Sequence, residues 1–270
     1  MYNWNMEGDS LNLIDTHCHL NMPPLSIDTD GVLARAADKG VQRVIVPAYD
    51  EAAWPEVAAL ASRPNVFAAF GLHPWVAHEA PPGGPLADFE KRLATQLTAG
   101  SAIAVGEIGL DTKVEDCGLA EQLPVLVAQL VLAADLDLPV ILHCRGAFEE
   151  LLTAVNKHGG KLRGVLHAYS RGPELAERFI AAGLHIAFGG AVTRERAKRV
   201  RNAAARLPLD KIVLETDAPS IGLDGVLPVD TEPGHVHDLA QAVADIRNES
   251  FETIAEVTTA NACRLFNLAT

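Results

Sequence analysis

Asp15-Thr16-His17-Cys18-His19 follows a short apolar run. In extended backbone, His17 and His19 project to one side and Cys18 to the other. Two imidazoles on one face, two residues apart, can chelate one divalent ion. Polar residues of the same kind recur where other apolar runs end: Gly106-Glu107-Ile108-Gly109, His143-Cys144-Arg145, His167, and Thr216-Asp217-Ala218-Pro219. A single histidine at a strand end is ordinarily a satisfied polar residue. Four histidines and two carboxylates, all following apolar runs, form a joint pattern that independent accident does not explain. Neutral imidazole with carboxylate suits Zn²⁺, and the carboxylates also admit Mg²⁺ or Mn²⁺.

The elements that must position these residues are legible as short β-rich runs alternating with longer amphipathic stretches. The runs predict strands over Leu11–Asp15, Val41–Val46, Val66–Gly71, Ala102–Gly106, Pro139–Leu142, Gly164–Leu166, His185–Phe188 and Lys211–Leu214. Helices are expected over Asp30–Lys39, Glu51–Ser62, Pro85–Ala99, Ala120–Leu136, Phe148–Lys157, Pro173–Ala182, Arg194–Ala205 and His235–Arg247. A last one, Ser250–Phe266, starts from a Ser250 N-cap. Nearly continuous apolar strands indicate a parallel sheet covered on both sides. Eight βα units in one chain of 270 residues predict an α/β protein, a single (β/α)₈ TIM barrel with an extra C-terminal helix. A doubly wound open sheet is the runner-up. With no linker or low-complexity break, residues 1–270 read as one domain. In such a barrel the strand ends named above share the face where active sites lie.

Composition narrows the classes further. The chain is 49% hydrophobic and 21% charged, which suits a globular protein with a large core and excludes disorder, collagen-like repeats and a disulfide scaffold. Met1 to Ser10 is polar and has no signal-peptide pattern. The most apolar stretch, Leu123 to Ala134, contains Gln129 and is too short to span a bilayer, so no membrane association is expected. Cys18, Cys117, Cys144 and Cys263 lack CxxC spacing, pointing to a reducing, cytoplasmic setting. The 22 Lys+Arg against 35 Asp+Glu give a net charge of −13. That disfavours non-specific coating of DNA or anionic membranes but leaves a local polyanion site open.

Phosphate-loop, dinucleotide and H-E-x-x-H motifs are absent. Ala168-Tyr169-Ser170-Arg171-Gly172 lacks the first glycine of a serine-hydrolase elbow, so Ser170 reads as a turn residue. Asp111 either holds a ligand histidine or caps a turn. The run Arg194, Arg196, Lys198, Arg199, Arg201 and Arg206 is either a solvated face or a contact to phosphate backbone.

Six segments together resemble the TatD family of metal-dependent hydrolases and DNases, within the amidohydrolase superfamily. They are Ile14-Asp15-Thr16-His17-Cys18-His19, Gly71-Leu72-His73-Pro74, Gly106-Glu107-Ile108-Gly109-Leu110-Asp111, His143-Cys144-Arg145, His167-Ala168-Tyr169-Ser170 and Glu215-Thr216-Asp217-Ala218-Pro219. The resemblance implies two divalent ions: His17, His19 and Asp217 on the first, His143 and His167 on the second, and Glu107 bridging. It also implies phosphodiester hydrolysis, with DNA cut from its 3′ end as the expected activity. Two adjacent ions can lower the pKa of a shared water and stabilise charge on a phosphoryl oxygen. Asp217 could also take the water's proton. Arg145, two residues beyond His143, either grips a phosphate or pairs with Glu107 or Asp111, and His73 either lines the site or serves its turn.

Three positions depart from the family pattern: Thr112, Arg171, and the loop Val229-Asp230-Thr231-Glu232-Pro233, where an acid replaces a basic residue. An acid at the mouth would repel a polyanion. It keeps open a hydrolase of another ester or amide, nucleotide- or tRNA-linked. A non-enzymatic component of a larger assembly is the third reading, which six intact ligand positions oppose.

Overall fold

A computed structural model describes residues 12–80, 86–100 and 102–269 of the chain. Its eight strands are β1 (Leu13–Asp15), β2 (Val41–Pro47), β3 (Val66–Phe70), β4 (Ala102–Asp111), β5 (Val140–Arg145), β6 (Gly164–Leu166), β7 (Leu184–Phe188) and β8 (Ile212–Leu214). They pair in that order and every pairing is parallel. Between them run α1 (Thr29–Asp38), α2 (Trp54–Leu60), α3 (Leu86–Thr98), α4 (Leu119–Asp135), α5 (Phe148–Asn156), α6 (Pro173–Ala181) and α7 (Lys198–Arg206). After β8 come α8 (Val236–Arg247) and α9 (Phe251–Phe266). This is the (β/α)₈ barrel with its extra helix, and the open sheet falls away.

Two-residue periodicity sends neighbouring strand residues to opposite sides. Ile14, Ile45, Ala69, Ala104, Ile141, Val165, Ala187 and Val213, one from each strand, form a single buried layer inside the barrel. Their neighbours, such as Val46, Phe70, Leu142 and Phe188, pack outward with helix residues such as Phe89, Leu93 and Phe179. Helix α9 begins where the Ser250 hydroxyl accepts the Thr253 N–H at 3.1 Å. It delivers Ala262, Cys263, Leu265 and Phe266 to the inner layer beside Phe67 and Ile103, the second residues of β3 and β4. The last helix therefore plugs the end where the strands begin.

The seam between β1 and β8 is closed just beyond both strands. Thr16 N–H donates to Leu214 O at 3.1 Å, Asp217 N–H to His17 O at 2.8 Å, and His19 N–H to Ala218 O at 2.8 Å. The buried Asp15 carboxylate accepts the Thr216 hydroxyl at 2.6 Å and the Thr216 N–H at 3.0 Å.

Among the described residues, four boundaries differ from expectation by three residues or more. Strands β4 and β5 continue through Asp111 and Arg145, because backbone pairing persists after the apolar run has ended. The helix expected from Arg194 starts at Lys198, since Arg194 instead donates to Gly222 O at 2.6 Å. Helix α2 starts at Trp54, after a turn in which the Asp50 carboxylate accepts the Ala53 N–H at 2.7 Å. The expected starts at Leu11 and Pro85, and the polar stretch Met1 to Ser10, lie outside the described residues. No described helix is long and apolar enough to cross a membrane.

Candidate metal centre at the barrel mouth

Alternation along the strands lifts side chains from the apolar inner layer to the mouth. Ile141 is followed at even spacing by His143 and Arg145, Val165 by His167, and Val213 by Glu215 and Asp217. Ala69 leads likewise to His73, and Ile45 to Tyr49. On β4 the register to β5 slips between Val105 and Ile108. Ala104 faces in and Val105 out, yet Ile108 and Leu110 again face out. The slip turns Glu107 and Asp111 inward, the kind of re-aiming a β-bulge performs. Gly109 fits this packing alone, since a Cβ there would lie 1.9 Å from the His143 carbonyl oxygen.

Glu107 stands at the centre, buried. Its Oε1 lies 2.8 Å from His167 Nε2, 3.1 Å from His143 Nδ1 and 3.4 Å from His73 Nε2. Its Oε2 lies 3.3 Å from His17 Nε2 and 3.8 Å from His19 Nε2. Asp217 Oδ1 is 3.4 Å from His19 Nε2 and 3.7 Å from His17 Nε2. The Nε2 atoms of His17 and His19 approach to 3.2 Å, and the His17 and His167 rings stack at 4.2 Å. One carboxylate thus faces two separate histidine sets with its two oxygens.

Burial alone would raise the Glu107 carboxyl, but His167, His73 and His17 hold it well below the usual carboxylate range. Asp217 is held down in the same way, by its hydrogen bond with His19 and the charges of His17 and His167. The donor set suits a divalent cation. His17, His19 and Asp217 form one group whose ligand atoms all lie within 4.8 Å of one another, and His73, Glu107 and His143 form another. Nδ1 of His17 and of His19 is buried without a hydrogen-bond partner, so hydrogen bonds within the chain do not complete this cluster.

Neighbouring polar groups hold the cluster in place. Asp111 Oδ2 lies 3.1 Å from His143 Nε2 and accepts the Trp75 indole N–H at 2.7 Å, while Oδ1 accepts the Lys113 N–H at 2.7 Å. Asp111 thus both contacts the His143 ring and caps its own turn. Burial opposes ionisation there, but the bonds from His143, Trp75 and Lys113 bring its pKa to about 2. Helix α4 supplies two buried clamps. Gln122 accepts the Asp111 N–H and donates to Asp111 O, each at 2.8 Å. Gln129 accepts the Leu72 N–H at 2.8 Å and donates to Leu72 O at 3.2 Å, fixing the residue before His73. Glu215 accepts the Ala168 N–H and lies 3.5 Å from His167 Nδ1. Asp217 itself has φ +51°, the left-handed region, and Ala168 has φ +47°. Non-glycine residues held there are strained, and such strain clusters at functional sites.

Five of the six residues expected to ligate metal, together with His73, line one cavity, and the sixth, His17, is fully buried and lies 3.3 Å from Glu107 Oε2. The cavity measures about 760 Å³, and Arg145 and Arg171 line it. Arg145 is 58% exposed and its guanidinium reaches only to 4.0 Å from Asp111, so it is available to a substrate. Ser170 sits exposed on the rim. The departing loop does not enter: Asp230 is exposed and outside the cavity lining, and Glu232 pairs with Arg35 at 2.7 Å. The basic run is partly absorbed by structure, with Arg201 donating to Val192 O at 2.9 Å and Arg206 pairing with Glu174 at 3.1 Å. Tyr49, Trp75, Gln122 and Gln129 went unread in the sequence. Tyr49 carries a signal after the fact, four residues beyond Ile45 on the same strand face.

A parallel barrel that gathers five imidazoles and two carboxylates at its strand ends is the scaffold of a metal-dependent hydrolase. The chain belongs to the TatD related DNase family, whose model matches residues 14–267. It is 36% identical over 256 residues to the uncharacterized metal-dependent hydrolase YjjV of Escherichia coli K12, covering 94% of this chain and 98% of that one. It is 30% identical over 272 residues to human deoxyribonuclease TATDN3, covering 97% of each. The crystal structure of E. coli YjjV superposes with a TM-score of 0.88 at 35% identity, over 96% of this chain and 99% of that one.

Proposed function

We propose that this metal-dependent hydrolase cleaves phosphodiesters at the 3′ end of DNA with two divalent ions. His17, His19 and Asp217 would hold one ion, His143 and His167 the other, with Glu107 shared. The observation that carries this reading is the Glu107 carboxylate, whose Oε1 faces His143 and His167 while Oε2 faces His17 and His19. The name of the human relative, a deoxyribonuclease, supports the substrate. When bound, the ions supply Lewis-acid stabilisation of phosphoryl charge and acidify a nearby water.

The chain's own residues do the rest. Asp217, kept ionised by its histidines, accepts the proton of the attacking water. The water oxygen forms the new bond to phosphorus as the P–O3′ bond breaks, and the departing O3′ is protonated. Arg145 at the rim offers its guanidinium to a phosphate oxygen pair, and Asp111 fixes the ring orientation of His143. With Asp230 and Glu232 away from the cavity, the acidic loop gives no ground for preferring an uncharged ester or amide.

The test is a panel of end-labelled single strands incubated with Zn²⁺, Mg²⁺ or Mn²⁺, with and without chelator. Metal-dependent release of mononucleotides from the 3′ end is expected. Asp217→Asn should keep much of the metal while turnover falls about 10²-fold or more. No metal-dependent cleavage of any strand overturns the DNA reading, and near-normal turnover in Asp217→Asn overturns the base.

A further inference from the structure

The mouth is lined by two chemically different kinds of group. Tyr49 and Trp75, on the loops after β2 and β3, are aromatic, and Arg145 and Arg171, on and after β5 and β6, are basic. Trp75 and Arg145 lie side by side, reaching the same Asp111 oxygen at 2.7 and 4.0 Å. Trp75 is 40% exposed although its indole is large and apolar. Its N–H is spent on Asp111, which fixes the ring in place. Tyr49, His73 and His143 meet it at 78°, 89° and 80°, so none of these neighbours stacks on its face. Tyr49 by contrast stacks on His73 at 4.9 Å and 24°. An anchored, half-open indole in the same mouth as two exposed guanidinium groups matches a ligand that carries both a planar ring and an anion.

We infer that Trp75 is a stacking platform for the terminal base of the substrate strand, with Arg145 and Arg171 receiving the phosphate side. The inference rests on the proposed reading of the substrate as a nucleotide chain, and it specifies that chain: its last base must be free to leave its partner. A single strand or a frayed end can lay its base on the indole, whereas a paired end must first unstack and open. Base–aromatic stacking is tolerant of base identity, so the platform selects an unpaired end without selecting a sequence. Because the ring is already fixed by Asp111, little side-chain freedom is lost on binding.

Two substitutions separate this role from support of Asp111. Trp75→Phe keeps an aromatic face and loses the N–H, and Trp75→Leu loses both. The readout is the ratio of kcat/KM on single strands whose 3′-terminal residue carries a base to that on strands ending in an abasic residue. The wild type should favour the base-bearing end about tenfold or more. Trp75→Phe should keep most of that ratio even where absolute rates fall. Trp75→Leu should bring it close to one, through KM on the base-bearing strand. Equal ratios in Phe and Leu variants, or a ratio that survives in Trp75→Leu, overturn the platform. Should the wild type cleave no strand, the DNA reading fails and binding decides the platform. A deoxynucleoside monophosphate should then quench emission in the wild type more than in Trp75→Leu, and deoxyribose 5-phosphate should quench neither. Equal quenching of wild type and variant by the nucleotide overturns the platform on its own.

Discussion

The two ends of the barrel solve opposite problems with the same eight strands. Where the strands begin, Leu265 and Phe266 of α9 close the interior against apolar neighbours, and nothing in that layer asks for a ligand. Where the strands end, positions two to five residues beyond that layer carry histidines and carboxylates, and some of the buried ring nitrogens have no hydrogen-bond partner. Burying polar groups without full pairing costs free energy. The apolar end lets the fold tolerate that cost. Stability and chemistry are therefore separable by position along each strand.

The sharpest break of this comparison is Glu107→Ala. It removes the carboxylate that faces both histidine sets, so metal content should fall well below that of the wild type and turnover by about 10³-fold or more. Two ions per chain retained in that variant, by elemental analysis, would contradict the shared-carboxylate reading. Phe266→Ala should act in reverse. A buried aromatic lost from the plug costs about 3–5 kcal/mol, seen as a lower urea midpoint, while turnover per folded molecule stays unchanged. A large loss of turnover at constant folded fraction would show that the two ends are coupled.

A smaller effect should come from His185 at the start of β7. Burial, then the charges of Lys211 and Arg264, push its imidazole down to about 4. The unfolded chain binds this proton near pH 6.5 and the folded one only near 4. The contribution to stability is therefore full above pH 6.5 and is lost as pH falls toward 4. Since the ring is partly solvated, about 1 kcal/mol is expected. His185→Gln should flatten melting temperature against pH across that window, and parallel curves would remove His185 from the account. The smallest effect is assigned to Asp230→Arg. With Asp230 exposed outside the cavity, kcat/KM on a DNA end should change by less than about twofold at physiological salt. A several-fold gain that fades with salt would bring that loop back to the mouth.

Much of this was legible because each strand is a bounded apolar run and each site residue breaks that run at its end. His17, His19, His143, His167 and Asp217 stand out for that reason alone. The continuation of β4 was not legible. Polar residues at 107 and 111 end the apolar signal while backbone hydrogen bonding goes on, and a register slip leaves no mark in composition. Trp75 was hidden because it lies in the 3-10 turn Pro74–Glu79, where no periodicity assigns a direction. Gln122 and Gln129 carry no local mark of their role, because what they clamp is 11 and 57 residues away. Contacts of that span depend on the fold and not on local pattern.

The seam between β1 and β8 has a consequence for when the site comes into being. His17 and Asp217 are joined by a backbone hydrogen bond across some two hundred residues, as are Thr16 and Leu214, separated by 198. Closing a loop of that length costs about 5 kcal/mol of chain entropy in the simplest treatment. That cost falls on the same few residues that gather His17, His19 and Asp217. A nascent chain that has completed seven strands already holds the residues that gather His73, Glu107 and His143, but it lacks the group of His17, His19 and Asp217. That second half of the cluster is assembled by the same step that closes the ring, so the order of the strands along the chain sets the order in which the two halves form.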